Sequence, residues 1–198
     1  IYAARLAQKP FGTSEVELSV CSWFTGVLLF AGAWRAAPPS AVPLAWASVA
    51  LACLMLRWLV GDTDMLGVAF LAAIFAMARP IVVWTQLAEL PWAVQAAALR
   101  QALGGWSLGL ATTILLYALR LFRRYVIRER PEEVSLSGMF SLAAVVYGFM
   151  LVTAVLPVSL LTVGWAGLGA LGFALALALA DPPLRRSALV VFLLALGR

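Results

Sequence analysis

Long apolar runs separated by short polar or basic breaks set the pattern of this chain. Residues 1–18 are mixed. Arg5, Lys9, Glu15 and Glu17 lie among Ile1, Tyr2, Leu6 and Phe11, and Pro10 and Gly12 interrupt a continuous helix, so this part reads as a polar lead-in. From residue 19 onward the runs approach the length of membrane spans, about 20 residues for a hydrocarbon core of roughly 30 Å. Ser19–Trp34 is the first, slightly short and stopped by Arg35 and the Pro38-Pro39 pair. Ala41–Val60 is the second, with Pro43 in its first turn, where a missing N–H costs little. Gly61-Asp62-Thr63-Asp64 then makes a tight polar turn. The third run opens at Met65 and meets Arg79-Pro80 after about 21 Å of helix, too short to cross. Because Ile81-Val82-Val83-Trp84 is itself apolar, the helix is expected to continue through a kink at Pro80. A helix that stops there under a locally thinned bilayer is the alternative.

Residues 85–102 break the pattern. Gln86, Glu89, Gln95, Arg100 and Gln101 alternate with Leu87, Leu90, Trp92, Val94 and Leu99, which suits a segment lying on the membrane surface, with Pro91 starting its second half. Leu103–Phe122 is the fourth span, and a loop rich in arginine and glutamate follows. The fifth span is Leu136–Leu156 and the sixth Val158–Ala180, closed by Asp181-Pro182-Pro183. A seventh begins near Ser187 and is cut off at Arg198. The fold class implied is all-α: a polytopic transmembrane helical bundle over residues 19–198, with about six complete spans and a truncated seventh.

Composition agrees with this pattern. Hydrophobic residues make up 64% of the 198 and charged residues 12%, against about 45–50% and about 25% in soluble domains. A chain this short has too much surface to hide that excess in a soluble core. The net charge of +5 does not point to nucleic acid, because the basic residues sit between apolar runs, where they set orientation. With the loop at 123–135 assigned to the cytoplasm, ten basic residues fall inside: Arg5, Lys9, Arg57, Arg120, Arg123, Arg124, Arg128, Arg130, Arg185 and Arg186. Arg35, Arg79 and Arg100 fall outside, and Arg198 is unassigned. This predicts a cytoplasmic N-terminus. The preference for arginine over lysine, with abundant alanine and leucine, fits a GC-rich bacterial genome and hence a bacterial inner membrane. The chain starts at Ile1, as a processed or incomplete product would, and no signal-peptide pattern opens it.

Candidate chemistry is sparse. There is no histidine, which removes the commonest metal ligand, general base and near-neutral proton relay. Cys21 and Cys53 lie within spans and form no metal-ligand spacing. Acidic residues, Asp181 among them, fall in loops or at span ends, unlike the ionisable groups that pumps and ion-coupled carriers place at depth. Neither a catalytic motif nor a cofactor fingerprint emerges. Arg79 is the charged group with some claim to depth. It reads either as a contact for an anionic headgroup or partner carboxylate, or as an arginine snorkelling to the interface. The clearer signals are small residues: Gly105 and Gly109 in the fourth span, Ala144 and Gly148 in the fifth, and the stripe Ala166, Ala170, Ala174, Ala178 in the sixth. Such stripes let helix backbones approach closely, within the bundle or against another subunit.

Two stretches, ASVALACLMLRWLVGDTD at Ala47–Asp64 and Trp165–Arg198, especially LALALADPPLRRSALVVFLLALGR, carry a resemblance. A small-residue-rich helix, a polar turn, an arginine pair and another apolar helix resemble the repeated units of a large uncharacterised bacterial family of many-span membrane proteins. Members are much longer, and the resemblance implies no activity and no catalytic residues. The function expected from the residues is a non-enzymatic scaffold or accessory subunit, in contact with membrane lipids and other membrane protein subunits and not with nucleic acid. A permease or flippase component for a lipid-linked or apolar substrate is the alternative. In that reading Arg79, the Pro80 kink and the 85–102 segment would line a lateral opening.

Overall fold

A computed structural model describes residues 15–60, 64–128 and 134–197. Residues 1–14 of the lead-in, the turn at 61–63 and the loop at 129–133 lie outside the described residues. Eight α-helices occur among the rest: α1 Glu15–Ala36, α2 Val42–Val60, α3 Asp64–Gln86, α4 Trp92–Ala102, α5 Gly105–Phe122, α6 Val134–Val155, α7 Leu161–Ala178 and α8 Pro182–Leu196. A π-helical turn, Arg123–Arg128, extends α5, and a 3-10 turn, Val158–Leu160, precedes α7.

Among the described residues, five helices are long and apolar enough to cross a membrane: α2, α3, α5 with its π-helical extension, α6 and α7 with its 3-10 lead. They match five of the six complete spans expected from the sequence. The remaining one, α1, runs for 22 residues and packs on α2 and α3, and its described part is not among the five. The third helix continues without interruption through the buried Pro80, as its apolar tail predicts. The last helix starts earlier than Ser187, because Pro182 and Pro183 fit its first turn, where they lose no hydrogen bond. With 15 residues it spans about 22 Å, short of a crossing.

Between α3 and α5 the chain turns over residues 87–90 and forms only the 11-residue α4. Gln95 Nε2 donates to the carbonyls of Ala88 and Leu90, at 3.0 and 2.6 Å, and so folds the turn onto the helix. Leu99 and Ala102 are buried, and Arg100 donates through Nε and Nη2 to the Ala154 carbonyl at the end of α6. Gly104 and Gly105, with φ of +74° and +77°, make the corner into α5, a backbone path that L side chains rarely take.

The core is made by α2, α3, α5 and α6. Ala47, Ala50 and Leu54 meet Met65, Ala69 and Ala72, and Leu116, Leu119, Phe140, Ala144 and Tyr147 complete it. Small residues bring α2 and α3 close together, as packing in lipid requires. The helices α7 and α8 form an outer hairpin against α6.

Candidate functional site

The helices sort the arginines between the two ends of the bundle. One end holds Arg57, Arg120, Arg123, Arg124, Arg128, Arg185 and Arg186. Trp58 at the end of α2 meets Phe122 at the end of α5, and Asp181 between α7 and α8 meets Arg120. Arg35, Arg79 and Arg100 lie at the opposite end, where Arg79 stands 5.9 Å over the ring of Trp34.

At the basic end a buried polar cluster joins three elements. Tyr117 and Arg120 on α5 and Arg124 in its π-helical extension follow one another at spacings of three and four, and so share a face. That face meets the turn between α7 and α8. The turn is a Schellman closure: Ala180 N–H bonds to Leu177 O at 3.2 Å and Asp181 N–H to Ala176 O at 2.9 Å. Its left-handed residue is Ala180, at φ +50°, where glycine is usual. Arg124 Nη1 donates to the carbonyls of Leu179 and Ala180, at 2.8 and 3.0 Å, satisfying groups that a helix end leaves open.

Asp181 is the N-cap of α8, yet its side chain makes no capping hydrogen bond. The carboxylate turns inward instead. Oδ1 lies 3.4 Å from Arg120 Nη2, and Oδ2 accepts from Ser141 Oγ of α6 at 3.0 Å and, at 3.5 Å, from the Tyr117 hydroxyl. Asp181, Arg120 and Ser141 are 1%, 2% and 0% exposed. Burial this complete makes each charge costly unless it is compensated, so the cluster ties α5, α6 and the α7–α8 turn to one another. From the sequence Asp181 stands at a span end, and its burial is not visible there. The signal available was Tyr117, Arg120 and Arg124 recurring on one helical face.

The small residues of the spans divide. A Cβ at Gly109 would come 2.6 Å from Leu151 Cδ1, so α5 and α6 approach closely there. Ala144 is buried, and Gly148 faces Thr113 and Leu168. Gly105 has nothing within 4 Å of an added Cβ and serves the corner, not a helix contact. In α7 the face that meets α8 carries Gly169 and Gly172: a Cβ at Gly169 would stand 3.0 Å from Phe192 N and 3.2 Å from Ala188 O. The stripe of Ala166, Ala170, Ala174 and Ala178 lies elsewhere on α7, and its last three members are exposed. Arg79 is half-buried and occupied by the Trp34 ring, which stacks on Trp46 at 5.3 Å.

Among the described residues no three His, Cys, Asp or Glu side chains group as metal ligands, and Cys21 and Cys53 are free thiols. No family model, curated protein or solved structure matches this chain. The likeness of Ala47–Asp64 and Trp165–Arg198 to repeated bacterial units therefore rests on those residues alone. Geometry and composition together define the class: a membrane-embedded helical bundle whose basic end is closed by a buried carboxylate cluster.

Proposed function

We propose that this chain is a non-catalytic scaffold or accessory subunit of a larger membrane assembly, docking other membrane proteins through the outward face of α7. The observation that carries this reading is the placement of the alanine stripe. Of the most apolar window of α7, 17% is buried, against 56% in α6. Large apolar side chains facing outward are ordinary in lipid. A row of small residues there instead leaves a shallow track along which a second helix backbone approaches closely. The Asp181 cluster supports the same reading, since it fixes the hairpin that presents the track. The uneven arginines support a cytoplasmic basic end, by the rule that short cytoplasmic loops are enriched in Lys and Arg.

The test is the size of the particle purified in mild detergent from native membranes, with and without the pair Ala170→Leu and Ala174→Leu. The reading expects an assembly larger than one chain that falls to the single chain in the double variant. A single chain in both preparations, or an assembly indifferent to the pair, refutes it.

A further inference from the structure

The helices α6 and α8 run side by side away from the basic end. An added Cβ at Gly138 would lie 3.0 Å from Pro183, and Ser141 bonds Asp181. Beyond that contact the helices leave a groove of about 250 Å³. Leu142, Val146 and Phe149 form one wall and Val190 and Leu194 the other, and Arg186 stands at the end nearest the arginines. Along α8 the groove covers about 12 Å. It is smaller than the roughly 300 Å³ at which pockets for drug-sized ligands begin, which suits one flexible chain.

Arg185 and Arg186 are unlike the arginines of α5 and its extension. Arg120 is paired with Asp181 and Arg124 with two carbonyls. Arg185 and Arg186 are exposed and make no hydrogen bond or ion pair among the described residues. Both sit near the N-terminal end of α8, the positive end of its dipole, where a cation is disfavoured unless an anion joins it. The N-cap carboxylate does not serve as that anion, because it is turned into the cluster with Arg120.

We infer that this groove is a binding site for an anionic phospholipid, with an acyl chain between α6 and α8 and the phosphate on Arg186. An acyl chain fills the apolar length below the headgroup level, and the unpaired guanidinium and the helix end supply the charge above it. Basic sites between helices at the cytoplasmic face select anionic headgroups in this way. The inference does not depend on the docking role of α7.

The full chain, delipidated in mild detergent, is titrated with phosphatidylglycerol or with phosphatidylcholine, and bound lipid is counted by native mass spectrometry. The wild type is expected to bind phosphatidylglycerol more tightly. Arg186→Gln should weaken that binding about fivefold, the factor that corresponds to ~1 kcal/mol for one arginine at a headgroup, and leave phosphatidylcholine unchanged. Val190→Trp, which fills the groove, should reduce both lipids. Arg35→Gln at the opposite end should change neither. Equal binding of the two lipids by the wild type, an unchanged preference in Arg186→Gln, or an equal loss in Arg35→Gln overturns the inference. Native-like melting of Arg186→Gln confirms that any loss it shows is not unfolding. Should Val190→Trp not fold, the headgroup comparison with Arg186→Gln and Arg35→Gln decides alone.

Discussion

Asp181 Oδ1 lies 3.4 Å from Arg120 Nη2, 61 positions away in the chain, with side chains 1% and 3% exposed. An aspartate before two prolines ordinarily caps the helix that follows. Here it is spent on a cation of α5, and the hairpin of α7 and α8 is fastened to the rest of the bundle by that choice.

Removing one partner strands the other in a buried site. Arg120→Ala is expected to destabilise the protein by roughly 3 kcal/mol, the lower range for breaking a buried pair. Combining Arg120→Met with Asp181→Asn should cost less than the sum of the single changes, because each single change strands a charge and the double change strands none. Reversible unfolding in detergent measures this, and strictly additive losses would show the two groups to be uncoupled.

Ala180 holds the left-handed position of the Schellman turn with a Cβ that this conformation disfavours. Ala180→Gly should therefore stabilise the protein by about 1 kcal/mol. A lower melting temperature for this variant would mean that the alanine methyl contributes more through packing than it costs in strain.

Two glycines two residues apart on α7 should respond in opposite directions. Gly169 faces the backbone of α8, and Gly169→Val would push the helices apart, at about 1–3 kcal/mol. Gly167 has nothing within 4 Å of an added Cβ, and Gly167→Ala should gain up to ~1 kcal/mol of helix propensity. Thermal melts of the two variants check the assignment of faces, and a loss in both would contradict it.

Cysteines introduced singly at Glu89 and Arg185, in a background without Cys21 and Cys53, report the two ends of the bundle. Both positions are exposed, and they lie at opposite ends. With the basic end in the cytoplasm, an impermeant thiol reagent should label position 89 in intact cells and position 185 only after permeabilisation. The reverse pattern would invert the orientation.

The sequence by itself determined the elements. Span length, the continuation through Pro80 and the breaks at Pro and Gly depend on local backbone chemistry and on matching an apolar run to the thickness of lipid. All of these can be read along the chain. The separation of the arginines between two ends was legible for the same reason, since alternation of spans fixes it. Faces were not legible. In α6 and α7 nearly every position is apolar, and lipid and protein core accept the same side chains, so no polar stripe marks the outside. The tertiary structure alone decided that Gly169 and Gly172 meet α8 while Ala170, Ala174 and Ala178 look outward, and that Gly105 turns the chain rather than packing it. It also decided the fate of Asp181. A carboxylate at a helix start is satisfied locally by N–H groups or remotely by a cation. Only the arrival of Tyr117, Arg120 and Ser141 from two other helices makes the remote choice the lower in energy.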